Sequence, residues 1–199
     1  MEERFYKKIY SHGDFYRALL LTIRSTKHLR LNRRQKLLSV KFRERIMLAV
    51  TEVNGCAACS YAHTRLALEE GMSPEEIEAL LSGDRGYIPE EELVAILYAQ
   101  HYTDNNGSSS KESWLRLVDE YSLDKAWVVL AVIRMITVGN IYGIAISAII
   151  DRFKGKPSGK TSLFYELSLI ISVLFYIPIV LVHAIFDNFR KKTLLPFDH

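Results

Sequence analysis

Apolar residues in this chain recur at spacings of three and four, and no stretch alternates with the period of a strand. Residues 1 to 30 read as a first helix on the stripe Phe15, Leu19 and Ile23, widened by Leu20 and Leu21, with Asp14 in its first turn. The basic run RLNRR then reads as a connector. From Ser39 to Val53 the stripe is Val40, Met47, Leu48 and Thr51, and Glu44 falls inside it. A carboxylate on a core-facing stripe is costly without a partner, which singles Glu44 out. Asn54-Gly55 breaks that helix, and a new one opens at Cys56 and runs through Tyr61, Leu66 and Leu68 to Gly71.

Ser73-Pro74-Glu75-Glu76 has the pattern of a capping box with proline at the first helical position, and it opens a short helix ending near Gly83. Pro89 and three glutamates open another, which carries Leu93, Ile96 and Leu97 to about Tyr102. The polar run TDNNGSSSKES is a loop by composition, and a helix with Trp114, Leu117 and Val118 follows it. A long apolar helix begins at Asp124. Gly139 and Gly143 permit close helix approach there, while Arg134 and Asn140 argue against lipid exposure. Those two polar residues imply hydrogen bonds across a subunit interface or a place in the lining of a cleft.

Residues 151–162 form a basic linker rich in glycine and proline. Beyond it, Leu167 to Phe186 is a run of 20 residues without a formal charge. That length suits a bilayer core of ~30 Å. The run is read either as a kinked helix packed in an oligomer or as a membrane contact with basic flanks, Arg190, Lys191 and Lys192. The expected architecture is therefore all-α: one helical domain over 1–150, the linker 151–162, and an apolar C-terminal helix and tail over 163–199.

Composition narrows the functional classes. With 26 basic and 23 acidic residues, a net charge of +3 is too balanced for a nucleic-acid surface. Two cysteines within four residues do not make a secreted disulfide framework, and no signal segment opens the chain, so the expected compartment is the reducing cytoplasm.

The densest chemistry lies in ERIMLAVTEVNGCAACSYAH, Glu44 to His63. Cys56, Cys59 and His63 project from one face of a helix that begins near Gly55. A helix N-terminus, a second thiol and a nearby histidine each favour a thiolate. Cys59, one turn from His63, is the better nucleophile. Cys56, nearer the helix start and expected to be the more exposed, would resolve a sulfenic acid on Cys59 by closing a disulfide. Glu44 would orient His63 or take protons directly or through a water. A lone CxxC also fits half a zinc site or an inert pair, and Glu44 also fits a buried ion pair with Arg134. Glu52 is an alternative acid that lies off the Glu44 stripe. His101 reads as a half-buried structural histidine and Tyr61 as a packing residue.

The pattern of Glu44, Cys56, Cys59 and His63 resembles the alkyl hydroperoxidase D-like branch of the carboxymuconolactone decarboxylase superfamily. The similarity is detailed from about Ser39 to Gly83, including GMSPEEIEALLSG, and looser to about Ile150. The resemblance implies an all-helical, homo-oligomeric domain without cofactor or metal. Such a domain reduces hydroperoxides, or passes reducing equivalents to a peroxidase through the cysteine pair, and its expected partner is a thiol or dithiol reductant such as a peroxiredoxin or thioredoxin-like protein. It implies that Cys59 forms the sulfenic intermediate, that Cys56 is its proton donor and disulfide partner, and that Glu44 and His63 form a proton relay. Where the family's best-studied members have a histidine before the second cysteine, this chain has Ala58, so the relay is one member short. That departure supports a second reading: a weakly catalytic redox sensor or interaction protein of the same fold, tethered at a membrane. The decarboxylase branch is not expected to carry the cysteine pair.

Overall fold

Serine caps set most of the helix boundaries. The structure, a computed structural model, describes residues 6–195 and 197. It contains α1 (His12–Gln35), α2 (Val40–Asn54), α3 (Ala57–Glu69), α4 (Pro74–Ser82), α5 (Glu90–Asp104), α6 (Lys111–Glu120), α7 (Leu123–Phe153) and α8 (Leu163–Phe189). Ser11, Ser39, Ser73, Ser110, Ser122 and Ser162 each accept a backbone N–H from the first turn of the helix that follows. Each such cap stabilises its helix by about 1 kcal/mol. No strand occurs among the described residues, and the fold is all-α.

Several boundaries differ from the sequence expectation, among them the start of the linker, since α7 runs to Phe153 and takes the first three residues of 151–162. The helix α1 does not stop before RLNRR but runs through it to Gln35, ending at Lys36 in the left-handed region (φ 54°). Arginines suit the negative end of a helix, and Asn32 accepts the Leu38 N–H at 2.8 Å, which ties the end of α1 to the start of α2. At the other end, residues 6–11 precede the helix without regular structure, with the Tyr6 N–H bonded to the Gly55 carbonyl and the Lys8 N–H to that of Asn54. The rest of the expected first helix, residues 1–5, lies outside the described residues.

The central helix is α7, which packs against α1, α2, α3, α5, α6 and α8. On one side it joins Phe42, Ile46, Val50, Ile96, Trp114 and Leu117 in the main core. On the other, Ile141, Ile144 and Ala145 pack with Phe15 and Leu19 of α1, Leu169 and Val180 of α8, and both cysteines. A third cluster seats α4 on α2 through Leu48, Ile77 and Leu80. Two glutamates, Glu76 of α4 and Glu92 of α5, bind Arg45 of α2 at 2.6 and 2.9 Å. Arg134 is buried and bonded within the chain, to Tyr102 Oη, Ser25 Oγ and the Leu194 carbonyl. It therefore holds the C-terminal tail to α1 and α5.

After α7 the chain turns back through the linker. Arg152 and Thr161 both bind the fully buried Glu166, at 2.7 Å each, and α8 then lies along α1. Both α7 and α8 are long and apolar enough to cross a membrane, but 67% of the most apolar window of α7 is buried against 22% for α8.

Candidate active site

The site is built at the α2–α3 turn, because Gly55 can take a conformation that other residues resist. Its φ is +70°, and a Cβ there would lie 2.7 Å from the Lys7 backbone nitrogen, so the turn also needs glycine to admit the segment that precedes α1. Tyr10 of that segment donates to Asn54 Oδ1. The chain thus enters α3 with Cys56 as its N-cap and Cys59 in the first turn.

The two sulfurs lie within disulfide-bonding distance, with a Cα–Cα separation of 5.3 Å. Cys56 Sγ accepts the Cys59 N–H at 3.3 Å, so this sulfur occupies the capping position where the helix end favours negative charge. The neighbouring Ala58 N–H is bound at 3.2 Å by Ser147 Oγ of α7. Two first-turn donors are thereby satisfied, one by sulfur and one by a hydroxyl from the central helix.

Over the sulfurs lies a stripe of small residues on α7. A Cβ at Gly143 would sit 2.7 Å from Cys56 Sγ and 2.8 Å from Cys59 Sγ, so only a bare backbone fits there. The Gly139 carbonyl oxygen is 3.5 Å from Cys59 Sγ, in a position to accept from the reduced thiol. Gly139 itself is exposed, and the missing side chain leaves the surface open next to Cys59. This geometry corrects one expectation. Cys56 is fully buried, whereas Cys59 retains 9% exposure, because α7 covers the helix start and leaves only the second cysteine in reach of solvent.

Glu44 is 5% exposed, as the stripe argument required, and its partner is His63, with Oε2 to Nδ1 at 2.7 Å. Arg134 is engaged elsewhere, so the alternative pairing of Glu44 with that arginine is not formed. The four singled-out residues thus form two bonded pairs, Cys56 with Cys59 and Glu44 with His63. His63 follows Cys59 by one turn of α3 and joins the pairs through that helix; no hydrogen bond links its ring to either sulfur among the described residues. Beside them, Thr51 donates to Asn140 Oδ1 at 3.1 Å, and the side-chain amide nitrogens of Asn54 and Asn140 are buried without a partner among the described residues.

Other residues fall away from the site. Glu52 pairs with Lys7 at 2.8 Å. Tyr61 is 76% exposed, on the outer face of α3, and is not the packing residue expected. His101 is exposed and bonds Asn105 at the end of α5, where a solvated turn replaces the expected half-buried environment. No cluster of three or more metal-ligating side chains occurs among the described residues. Ser147 and the covering role of the glycines escaped the sequence reading. The available signal was the spacing of small residues at 139, 143 and 147, one per helical turn of α7.

Comparison with known proteins adds one match. Residues 24–100 match the carboxymuconolactone decarboxylase family, which includes the alkyl hydroperoxidase D-like proteins, and this stretch holds Glu44, Cys56, Cys59 and His63. No curated protein and no solved structure matches the chain.

Proposed function

We propose that the chain is a thiol–disulfide oxidoreductase that reduces hydroperoxides through Cys59 and Cys56. The observation that carries this reading is the pairing of the two sulfurs at the start of α3 beside a histidine bonded to a buried carboxylate. In the reduced enzyme, Cys59 thiolate attacks the terminal oxygen of the hydroperoxide. The O–O bond breaks, an alcohol leaves with a proton, and Cys59 becomes a sulfenic acid. Cys56 thiolate attacks that sulfur, hydroxide leaves as water, and the disulfide forms. A dithiol donor, such as a thioredoxin-like protein in a reducing cytoplasm, returns two electrons and two protons. Glu44 and His63 supply and accept protons at Cys59, Glu44 holding the imidazole in one orientation. The exposure of Cys59 alone supports its role as the sulfur that meets the peroxide, and the capping position of Cys56 supports a thiolate there.

A second reading rests on how tightly the pair is covered. A fully buried Cys56 beneath Gly143, with Ala58 in place of a relay member, fits slow turnover and a redox-sensing role. Both readings are tested by reducing the protein, adding cumene hydroperoxide at substoichiometric and excess levels, and following disulfide formation by mass spectrometry. Catalysis predicts repeated turnover with a dithiol donor, its loss in Cys59→Ser, and a trapped sulfenic acid in Cys56→Ser. Full turnover in Cys59→Ser would overturn the assignment, and a single oxidation without turnover would select the sensor.

A further inference from the structure

Helix α8 is mounted with its polar side inward. Between Phe164 and Phe186 twelve positions are exposed, and every one is apolar or proline. The polar residues of the same stretch face the protein and are bonded. Tyr165 donates to the Tyr10 carbonyl, Glu166 holds Arg152 and Thr161, and Ser168 pairs with His12. Tyr176 also reaches His12, and His183 pairs with Tyr16 at 2.8 Å. At the end of the helix, Asp187 binds Arg24 at 3.2 Å. Phe164, Leu174, Phe175 and Phe186 are between 59% and 82% exposed. At 1.5 Å per residue the face is about 33 Å long, and a contiguous exposed apolar face marks a site of protein or membrane contact.

We infer that this face docks on an anionic lipid bilayer, with α8 lying in the membrane plane. The inference goes beyond the thiol chemistry and does not depend on it. Charge decides the occupant. Exposed Lys154, Lys156 and Lys160 flank one end of α8, and exposed Arg190, Lys191 and Lys192 flank the other. Two copies packed side by side through α8, parallel or antiparallel, bring basic ends against basic ends. A surface of anionic headgroups complements both ends at once, while the uninterrupted apolar arc enters the hydrocarbon boundary. The in-plane orientation follows from α1, which runs parallel to α8 and carries exposed Arg17, Lys27 and Arg30. If α8 crossed the bilayer while docked, α1 would carry those charges in with it.

The test is flotation of the full-length protein with vesicles of phosphatidylcholine alone or mixed with phosphatidylglycerol, with light scattering on the same sample. The protein should float with anionic vesicles and bind neutral ones at least ten-fold less. Leu174→Glu combined with Val182→Glu should lower flotation at least ten-fold, with helicity by circular dichroism kept. Lys156→Glu combined with Arg190→Glu, at exposed positions outside α8, should abolish the preference for anionic lipid and guards against misfolding of the first variant. A protein that stays at the bottom with both vesicle types, a stable dimer that ignores lipid, or undiminished flotation of either variant overturns the inference.

Discussion

The two glycines of α7 beside the cysteines offer a controlled test of how the site is closed. In Gly143→Ala the new Cβ lies 2.7 and 2.8 Å from the two sulfurs, whereas comfortable contact between heavy atoms begins at about 3.5 Å. The sulfurs cannot yield as a long side chain would, since they are tied to each other and to the first turn of α3. The strain should therefore cost about 1–3 kcal/mol. Replacing glycine in a helix interior also gains up to about 1 kcal/mol of propensity, which partly masks the clash. Gly139→Ala supplies the correction. Its Cβ meets only Ile136 Cδ1 at 3.8 Å, ordinary contact, so this variant receives the propensity gain alone.

Subtracting one variant from the other cancels the propensity term and leaves the overpacking, about 1–3 kcal/mol. At about 2–4 °C per kcal/mol for a chain of this size, Gly143→Ala should melt roughly 2–12 °C below Gly139→Ala. Thermal unfolding of the oxidised proteins by circular dichroism measures the gap. Equal melting temperatures would mean that α7 does not press on the disulfide, and the account of why Cys56 is buried would fail.

Glu44→Gln leaves His63 with a neutral partner and should slow peroxide turnover roughly 10²-fold with the melting temperature little changed; an unaffected rate would remove Glu44 from the relay. His28 is stacked on Trp127, and burial with nearby Lys27 and Arg134 pushes its pKa down to about 4. The unfolded chain then binds more protons than the folded one between about pH 6.5 and 4, so stability is full above that window and falls as pH drops through it. His28→Phe should flatten that part of the melting-temperature profile, and an unchanged slope would refute the assignment. Arg134→Met removes three hydrogen bonds, one of them to the tail at Leu194, and should cost about 1–3 kcal/mol while speeding tryptic cleavage after Lys191 or Lys192; unaltered cleavage would show that Arg134 does not hold the tail.

What the sequence disclosed was local. Ser39, Ser73 and the Asn54-Gly55 break mark helix ends because caps and left-handed turns depend on a few adjacent residues. Glu44 stood out because one carboxylate on an apolar stripe is a local contradiction, and its bond to His63 resolves it. What stayed hidden was decided across the fold. The basic residues of RLNRR looked like a connector, yet their helix is held by contacts of Leu29 and Leu31 with the main core. Cys56 should be exposed at a helix start, and is not, because Gly143 is distant in sequence and lies directly over it.

The C-terminal run makes the same point in the opposite direction. Read as a string, Tyr176, Pro178 and His183 weaken an apolar segment whose other polar positions are Ser168 and Ser172, and both the oligomer and the membrane reading stay open. In the folded chain Ser168, Tyr176 and His183 fasten the helix to α1, while Ser172 turns inward and bonds its own backbone. To turn its apolar arc inward, α8 would have to unmake these bonds together with the buried ion pairs of Glu166 and Asp187. A neutral bond counts for about 0.5–1.5 kcal/mol and a charged one for about 1.5–3 kcal/mol, so the orientation of the helix is set by its polar residues. The exposed apolar face is then a consequence of well-satisfied polar contacts, which hold α8 with its apolar arc outward.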